Sequence, residues 1–127
     1  MSVAEFRARG AKANKFSATA IVCDGQRFDS KLERDRYLEL KNLWQIGAIA
    51  WFTRQVPFQL PGGITYRADF LVCRPVGCAR WRYGDTSYVE IEDCKGFMTP
   101  VSANKIKQVE AIYGFKVNII TKKGKRR

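Results

Sequence analysis

The stretch YVEIEDCKG, residues 88–96, combines strand-forming residues with an unusual density of charge. Its tyrosine, valine and isoleucine favour a β-strand, yet three acids fall within four positions and a lysine follows. Because side chains alternate along a strand, Asp93 and Lys95 lie on the same face as the two aliphatic residues. Burying an unpartnered charge is costly, so this face must meet water, a counter-charge or a metal ion. An ordinary Asp–Lys pair would also explain it, and Glu90 and Glu92, on the opposite face, are expected to be bystanders.

The flanking sequence predicts a small α/β domain over residues 20–121. Ser30 is the predicted N-cap and Gly47 the stop of a first helix, SKLERDRYLELKNLWQIG. The segments WFTRQVPFQL and ITYRADFLVC flank a Pro-Gly-Gly turn, which indicates a hairpin. Thr99 and Gly114 bound a second helix, TPVSANKIKQVEAIYG, and FKVNIIT closes the fold as a strand. The sum is a mixed central sheet flanked by at least two helices.

Composition is typical of a folded globular protein. The chain has 127 residues, of which 46% are hydrophobic and 13% aromatic, enough for one domain with a core. No apolar run approaches the ~20 residues of a membrane span, and no signal-peptide pattern is present. Four irregularly spaced cysteines predict reduced thiols in a cytosolic protein. Cys73 and Cys78 could supply half of a zinc site, but the absence of histidine disfavours it.

The positive charge is concentrated at the two ends of the chain. The net charge is +11, of which residues 1–16 carry +3 and the last six residues carry +5, leaving +3 for the body. Basic ends on a nearly neutral core favour nucleic acid as a partner, although a solubility tail is the alternative. We expect residues 1–19 to form a flexible basic arm and 122–127 a basic tail. The cations expected to contact DNA in this tail are Lys122, Lys123, Lys125, Arg126 and Arg127.

Two further carboxylates occupy unusual positions. Asp69 interrupts the strand TYRADFLVC, where aspartate is depleted, although a solvent-facing edge strand would also explain it. Glu33 falls in line with the apolar stripe of the first helix, which is predicted to face the core. With Ser30 three residues earlier, Glu33 also fits a capping box, and the helix pattern favours neither role.

Together, three carboxylates and a lysine fit a site for a hard divalent cation. Glu33, Asp69 and Asp93 supply only oxygen ligands, which favours Mg²⁺ or Mn²⁺ over zinc. Such an ion can activate a water molecule and stabilise the charge that develops on a phosphodiester. In this interpretation Asp93 binds metal, and Lys95 orients or helps to deprotonate the attacking water.

The motifs YRADF and EDCKG, with a helical glutamate upstream, resemble the PD-(D/E)xK nuclease superfamily. That superfamily has an Asp on one strand, an Asp/Glu-x-Lys triplet on the next, and a Glu on the preceding helix. The corresponding residues here are Asp69, Asp93 with Lys95, and Glu33, so these are the expected catalytic residues. Two positions depart from the pattern, since Ala68 stands where proline is common and Asp93 where glutamate is more usual. Neither departure removes a metal ligand.

A wider pattern consists of DGQRFDSKLERDRYLEL, QVPFQL, YRADF, EDCKG and KQVEAIYG, and the resemblance that it carries covers roughly residues 15–121. It is similar to a family of small phage-encoded proteins assigned to the same superfamily. The resemblance implies a restriction-endonuclease-like αβββαβ core, two metal ions, and a backbone carbonyl of Cys94 that completes a metal shell. It also implies a polar residue on the second helix beside the active site. Lys105 and Gln108 are the candidates for this position or for phosphate contacts, and a solvated helix surface is the alternative for each.

The resemblance also indicates a substrate. Small phage proteins of this superfamily often resemble Holliday-junction resolvases, and a chain this short has little room for a sequence-reading module. Paired junction cleavage would require a homodimer. In the loop 74–87, Arg80, Trp81 and Arg82 could contact DNA, or the loop could form a hairpin tip or dimer contact. We expect a Mg²⁺-dependent endonuclease that cuts branched DNA during phage replication and recombination in the host cytoplasm. A less selective nickase, a restriction-like nuclease and a non-catalytic DNA-binding protein are the alternatives.

Overall fold

The structure is a computed structural model that describes residues 21–77, 82 and 84–122, together with the backbone of 124–126. The basic arm predicted over 1–19 lies outside these residues, as do Arg80, Trp81, Lys123 and Arg127. The chain divides into two units, one ending at Arg36 and the other starting at Tyr37. Within the described residues, no helix is long and apolar enough to cross a membrane.

The first unit contains a short hairpin and the start of a helix. Strands β1 (Ile21–Cys23) and β2 (Gln26–Phe28) pair antiparallel around an Asp-Gly turn. Both turn residues have a positive φ, 52° and 72°, which is the conformation that an Asp-Gly turn of this kind requires. Helix α1 (Lys31–Gln45) follows. The helix predicted to follow Ser30 is confirmed.

The second unit contains a mixed sheet with the strand order β3-β4-β5-β6-β7. Helix α2 lies between β5 and β6 in the chain, and these two strands are the parallel pair. The other neighbouring strands are antiparallel. From α1 to β6 the chain runs through a helix, three strands, a helix and a strand. The predicted mixed α/β fold is confirmed. The bounds are β3 (Trp51–Leu60), β4 (Ile64–Pro75), β5 (Ser87–Cys94), α2 (Pro100–Tyr113), β6 (Lys116–Thr121) and β7 (Gly124–Arg126).

Helix α2 has both of its predicted ends. The Thr99 hydroxyl accepts a hydrogen bond from the Ser102 backbone N–H at 3.1 Å, and Pro100 occupies the first turn. Gly114 adopts a left-handed φ of 75° and donates its N–H to the Glu110 carbonyl. These local signals fix where the crossover between β5 and β6 begins and ends.

The core of the second unit forms around one face of α2. Ile106 and Val109 are buried against sheet residues, and full burial of such a side chain contributes about 1.5–3 kcal/mol. The remaining members of this cluster are Phe58, Leu60, Tyr66, Ala68, Ile91 and Val117. Ile106 and Val109 therefore form the face of α2 that packs on the sheet.

A second set of packing contacts involves α1. Phe70 and Phe52 have ring centroids 6.3 Å apart, and Phe52 lies 5.8 Å from Tyr37 in an edge-to-face arrangement. The part of α1 that starts at Tyr37 is thus held to strands β3 and β4 by aromatic contacts.

Candidate functional site

Asp69 and Asp93 are brought together by the register of β4 and β5. The ladder between these strands ends where Phe70 pairs with Glu92, and Asp69 and Asp93 are the next residues of the two strands beyond that pair. The Cys94 backbone N–H also donates a hydrogen bond of 2.8 Å to Asp69 Oδ2. Two carboxylates that are distant in sequence therefore form one site.

Asp93 is held from two sides. It is only 2% exposed, and its Oδ2 accepts a hydrogen bond of 2.9 Å from the Tyr66 hydroxyl. The Nζ of Lys95 lies 3.3 Å from the same oxygen, and the Lys95 side chain keeps 27% of its surface exposed. Its backbone N–H donates to the Ile120 carbonyl on β6 at 3.0 Å. Lys95 thus compensates the charge of a buried carboxylate while part of its side chain stays exposed to solvent.

Tyr66 is a site residue that the sequence analysis missed. Burial, followed by the charge and hydrogen bond of Asp93 and the charges of Asp69 and Glu110, raises the pKa of Tyr66 far above its usual value. The hydroxyl therefore stays protonated and acts as a donor. Glu110 was missed as well, and its carboxylate also accepts the Val117 backbone N–H at 3.1 Å. Helix α2 thus contributes a third carboxylate to the electrostatic environment of Tyr66.

The backbone is irregular beside Asp69. Gln55 on β3 has a φ of 54°, in the left-handed region that non-glycine residues seldom occupy. The pairing of β3 with β4 steps over Gln55 and Asp69, and the pairs on either side are Arg54↔Phe70 and Val56↔Ala68. Such outliers persist where the surroundings over-determine them, and they are common at functional sites. Asp69 therefore lies at a break in the ladder rather than in a regular strand segment.

Glu33 belongs to the first unit, whereas Asp69, Asp93 and Lys95 belong to the second. Glu33 is buried, and its backbone N–H donates to the Ser30 hydroxyl at 3.1 Å. That bond is the Ser30 half of a capping box. Across the described residues, no group of three or more His, Cys, Asp or Glu side chains is arranged to hold a metal ion. The role of Glu33 as a metal ligand stays a prediction.

Glu90 and Glu92 belong to a polar cluster that links neighbouring strands of the sheet. Glu92 is fully buried, and its Oε2 lies 3.1 Å from Arg74 Nη2. Glu90 lies 3.9 Å from Arg74 Nε and accepts a hydrogen bond from the Asn118 side-chain amide. Since these residues come from three adjacent strands, the polar cluster ties β4, β5 and β6 together.

The other residues predicted to contact DNA lie on α2, in the loop 74–87 and at the end of the chain. Lys105 and Gln108 are half-buried on α2, and Gln108 Oε1 is buried without a hydrogen-bond partner in the described part of the chain. Arg82 is exposed, and its backbone N–H bonds Asp85 Oδ2 at 2.8 Å. Lys122 is exposed. The backbone of Lys125 and Arg126 lies in β7, so part of the predicted basic tail is the edge strand of the sheet.

The second unit is a mixed α/β domain in which Asp69 on β4 lies near the end of β5, where Asp93 and Lys95 form an ion pair. The chain belongs to the family described as "Protein of unknown function (DUF1064)", whose model matches residues 13–126. No curated protein and no solved structure matches the chain significantly. The family match covers the elements that carry Asp69, Asp93 and Lys95.

Proposed function

We propose that this protein is a metal-dependent endonuclease that hydrolyses phosphodiester bonds in DNA, with Asp69, Asp93 and Lys95 at its active centre. The observation that carries the proposal is the geometry at the end of β5, where the Cys94 N–H binds Asp69 Oδ2 at 2.8 Å and the Lys95 ammonium lies 3.3 Å from Asp93 Oδ2. The order of helix, three strands, helix and strand is also the order of the αβββαβ core of PD-(D/E)xK nucleases.

The donor set suits Mg²⁺ or Mn²⁺. Mg²⁺ is usually bound through one or two carboxylates and keeps several waters, so Asp69 and Asp93 with the Cys94 carbonyl are sufficient protein ligands. Tyr66 and Lys95 both contact Oδ2 of Asp93, and Oδ1 is the oxygen that neither of them contacts. When bound, the ion would polarise the phosphate and lower the pKa of a coordinated water.

The protein groups position the reactants and compensate charge. Tyr66 and Lys95 together fix the Asp93 carboxylate, so its orientation is set before any ligand binds. The Lys95 side chain is partly exposed, and its ammonium can orient the attacking water while it offsets the negative charge that develops on the phosphate. Its main chain is anchored to β6, which limits how far the side chain can move from Asp93.

The net charge of +11 supports a nucleic-acid substrate. We propose branched DNA as the substrate, cut by a homodimer in the cytoplasm, since paired nicks across a junction need two symmetric active centres. A less selective nickase would use the same centre. A DNA-binding protein without activity would use the acidic pair only for structure.

The test uses an end-labelled four-way junction and a linear duplex of matched sequence. Each is incubated with the wild-type protein, with Asp69→Ala and with Asp35→Ala, which removes an exposed carboxylate paired with Arg34. We expect Mg²⁺-dependent paired nicks in the junction from wild type and Asp35→Ala, and none from Asp69→Ala. Equal cutting of both substrates would remove the junction selectivity. Firm binding without cutting in Mg²⁺ or Mn²⁺ would contradict the nuclease.

A further inference from the structure

Phe97 is the most exposed of the large hydrophobic side chains described, with 79% of its surface accessible. Isolated exposed hydrophobic residues are common and need no explanation by themselves. The position of Phe97 is what distinguishes it, since it follows Lys95 by two residues. Two residues span at most ~7 Å, about two nucleotide steps along one DNA strand. The backbone that carries this exposed ring therefore lies within about two nucleotide steps of the backbone of Lys95.

The segment that carries Phe97 is short and fixed at both ends. Lys95 is tied by its backbone N–H to a β6 carbonyl at 3.0 Å, and Thr99 is the N-cap of α2. Between them, Met98 packs against the core of the second unit. A three-residue connection with one side chain packed inward leaves few arrangements for the ring. Phe97 is presented outward by a defined backbone rather than by a long loop.

A nucleic-acid base is the partner that such a ring fits. Stacking of a base on an aromatic side chain contributes ~1–3 kcal/mol and tolerates any base sequence. In an intact duplex both faces of each base are already covered by neighbouring base pairs. The ring can stack only where a base is unstacked, as at a branch point, a flap or a single-stranded gap.

We propose that Phe97 stacks on an unstacked base next to the scissile phosphate and so selects distorted or branched DNA over intact duplex. This selectivity rests on the proposed nuclease function for its biological use. The stacking contact itself requires only that DNA binds at the end of β5.

Two substitutions separate stacking from general hydrophobic contact. Phe97→Leu keeps the apolar character but removes the aromatic face, whereas Phe97→Trp keeps that face. Tyr88→Leu is the control, since Tyr88 is a 47% exposed aromatic residue at the start of the same strand. Because Phe97 is exposed, none of its variants should alter folding.

The measurement is binding of the full-length protein to a four-way junction and to a matched duplex, with Ca²⁺ in place of Mg²⁺. We expect Phe97→Leu to weaken junction binding roughly 5- to 150-fold and duplex binding less than twofold. Phe97→Trp should bind the junction like wild type, and Tyr88→Leu should change neither affinity. A 2-aminopurine base at the branch should be quenched by wild type and not by Phe97→Leu.

Unchanged junction binding by Phe97→Leu, or equal weakening on both substrates, would overturn the stacking contact. A shift in oligomeric state at unchanged DNA affinity would assign Phe97 to a contact with a second copy of the chain and also overturn it. Cleavage in Mg²⁺ is scored separately on the same samples. If wild type cuts neither substrate while the binding pattern holds, the nuclease proposal fails and the stacking contact stands.

Discussion

Replacing Tyr66 by phenylalanine removes a single oxygen atom from the site. The Tyr66 hydroxyl donates a 2.9 Å hydrogen bond to Asp93, and both side chains are almost fully buried. A hydrogen bond to a charged group contributes about 1.5–3 kcal/mol to stability, so we expect Tyr66→Phe to be less stable by that amount at pH 7. The phenyl ring can keep its 6.4 Å packing with Phe58, so the loss should come from the hydroxyl.

The pH dependence makes this prediction specific. The folded-state pKa of Tyr66 is raised above the unfolded value of about 10, first by burial and then by Asp93. The stability that this shift contributes is therefore complete below pH 10 and is lost as pH rises, because the unfolded chain then releases the proton first. The limiting slope is about 1.4 kcal/mol per pH unit, which amounts to roughly 1 kcal/mol between pH 10 and pH 11. Phenylalanine has no proton to lose, so the difference between wild type and Tyr66→Phe should shrink by that amount.

The assay is urea unfolding monitored by circular dichroism at pH 7, 9, 10 and 11. Tyr88→Phe serves as the control, because Tyr88 is 47% exposed and its substitution should stay within about 0.5 kcal/mol of wild type. The reasoning would be refuted if Tyr66→Phe matched wild type at pH 7. It would also be refuted if the stability difference were the same at pH 7 and pH 11.

The other predictions concern catalysis, DNA affinity and the buried ion pair. Lys95→Ala should reduce cleavage at least ~100-fold and leave DNA affinity within about threefold of wild type. Lys107→Ala, on the exposed side of α2, should change neither cleavage nor affinity. Loss of folding in Lys95→Ala would show a structural role instead. Replacing the cations of residues 122–127 by glutamine keeps the β7 backbone and should weaken DNA binding. The slope of log affinity against log salt concentration should fall by ~0.9 for each phosphate that is no longer neutralised. An identical slope would exclude a role of these cations in phosphate binding. Arg74→Ala removes the partner of the buried Glu92 and should lower the free energy of unfolding in urea by about 3 kcal/mol. Arg34→Ala, which removes an exposed ion pair, should lower it by less than about 1 kcal/mol. Equal losses in the two variants would contradict the burial argument.

Local signals in the sequence were sufficient for most of the elements. The cap and stop residues of α2 act within a few residues of the backbone they satisfy, so Thr99 and Gly114 predict its ends correctly. The Pro-Gly-Gly turn works in the same way, with Gly62 and Gly63 both at positive φ. β7 was missed because a cationic composition indicates a tail, whereas strand pairing with β6 uses only backbone groups.

The site depends on contacts that no local pattern contains. Alternation predicts only which face of its own strand each aspartate occupies. Whether Asp69 and Asp93 come together depends on the register in which β4 and β5 pair. Tyr66 fits an ordinary core position in the sequence, and its hydroxyl meets Asp93 only after the strands have paired. Gln55 carries no signal for a left-handed backbone, since glycine or asparagine would be the expected residue.

The most direct test of the central claim is cleavage of an end-labelled four-way junction by wild type, Asp93→Asn and Asp35→Asn in Mg²⁺ and in EDTA. Asparagine at position 93 keeps an oxygen for the Tyr66 hydroxyl but removes the negative charge, so folding and DNA binding should persist. If Asp69, Asp93 and Lys95 form a metal-dependent nuclease centre, wild type and Asp35→Asn will nick the junction in Mg²⁺ and not in EDTA, and Asp93→Asn will not nick it in either. Cleavage by Asp93→Asn at the wild-type rate, or no cleavage by wild type in Mg²⁺ or Mn²⁺, would contradict it.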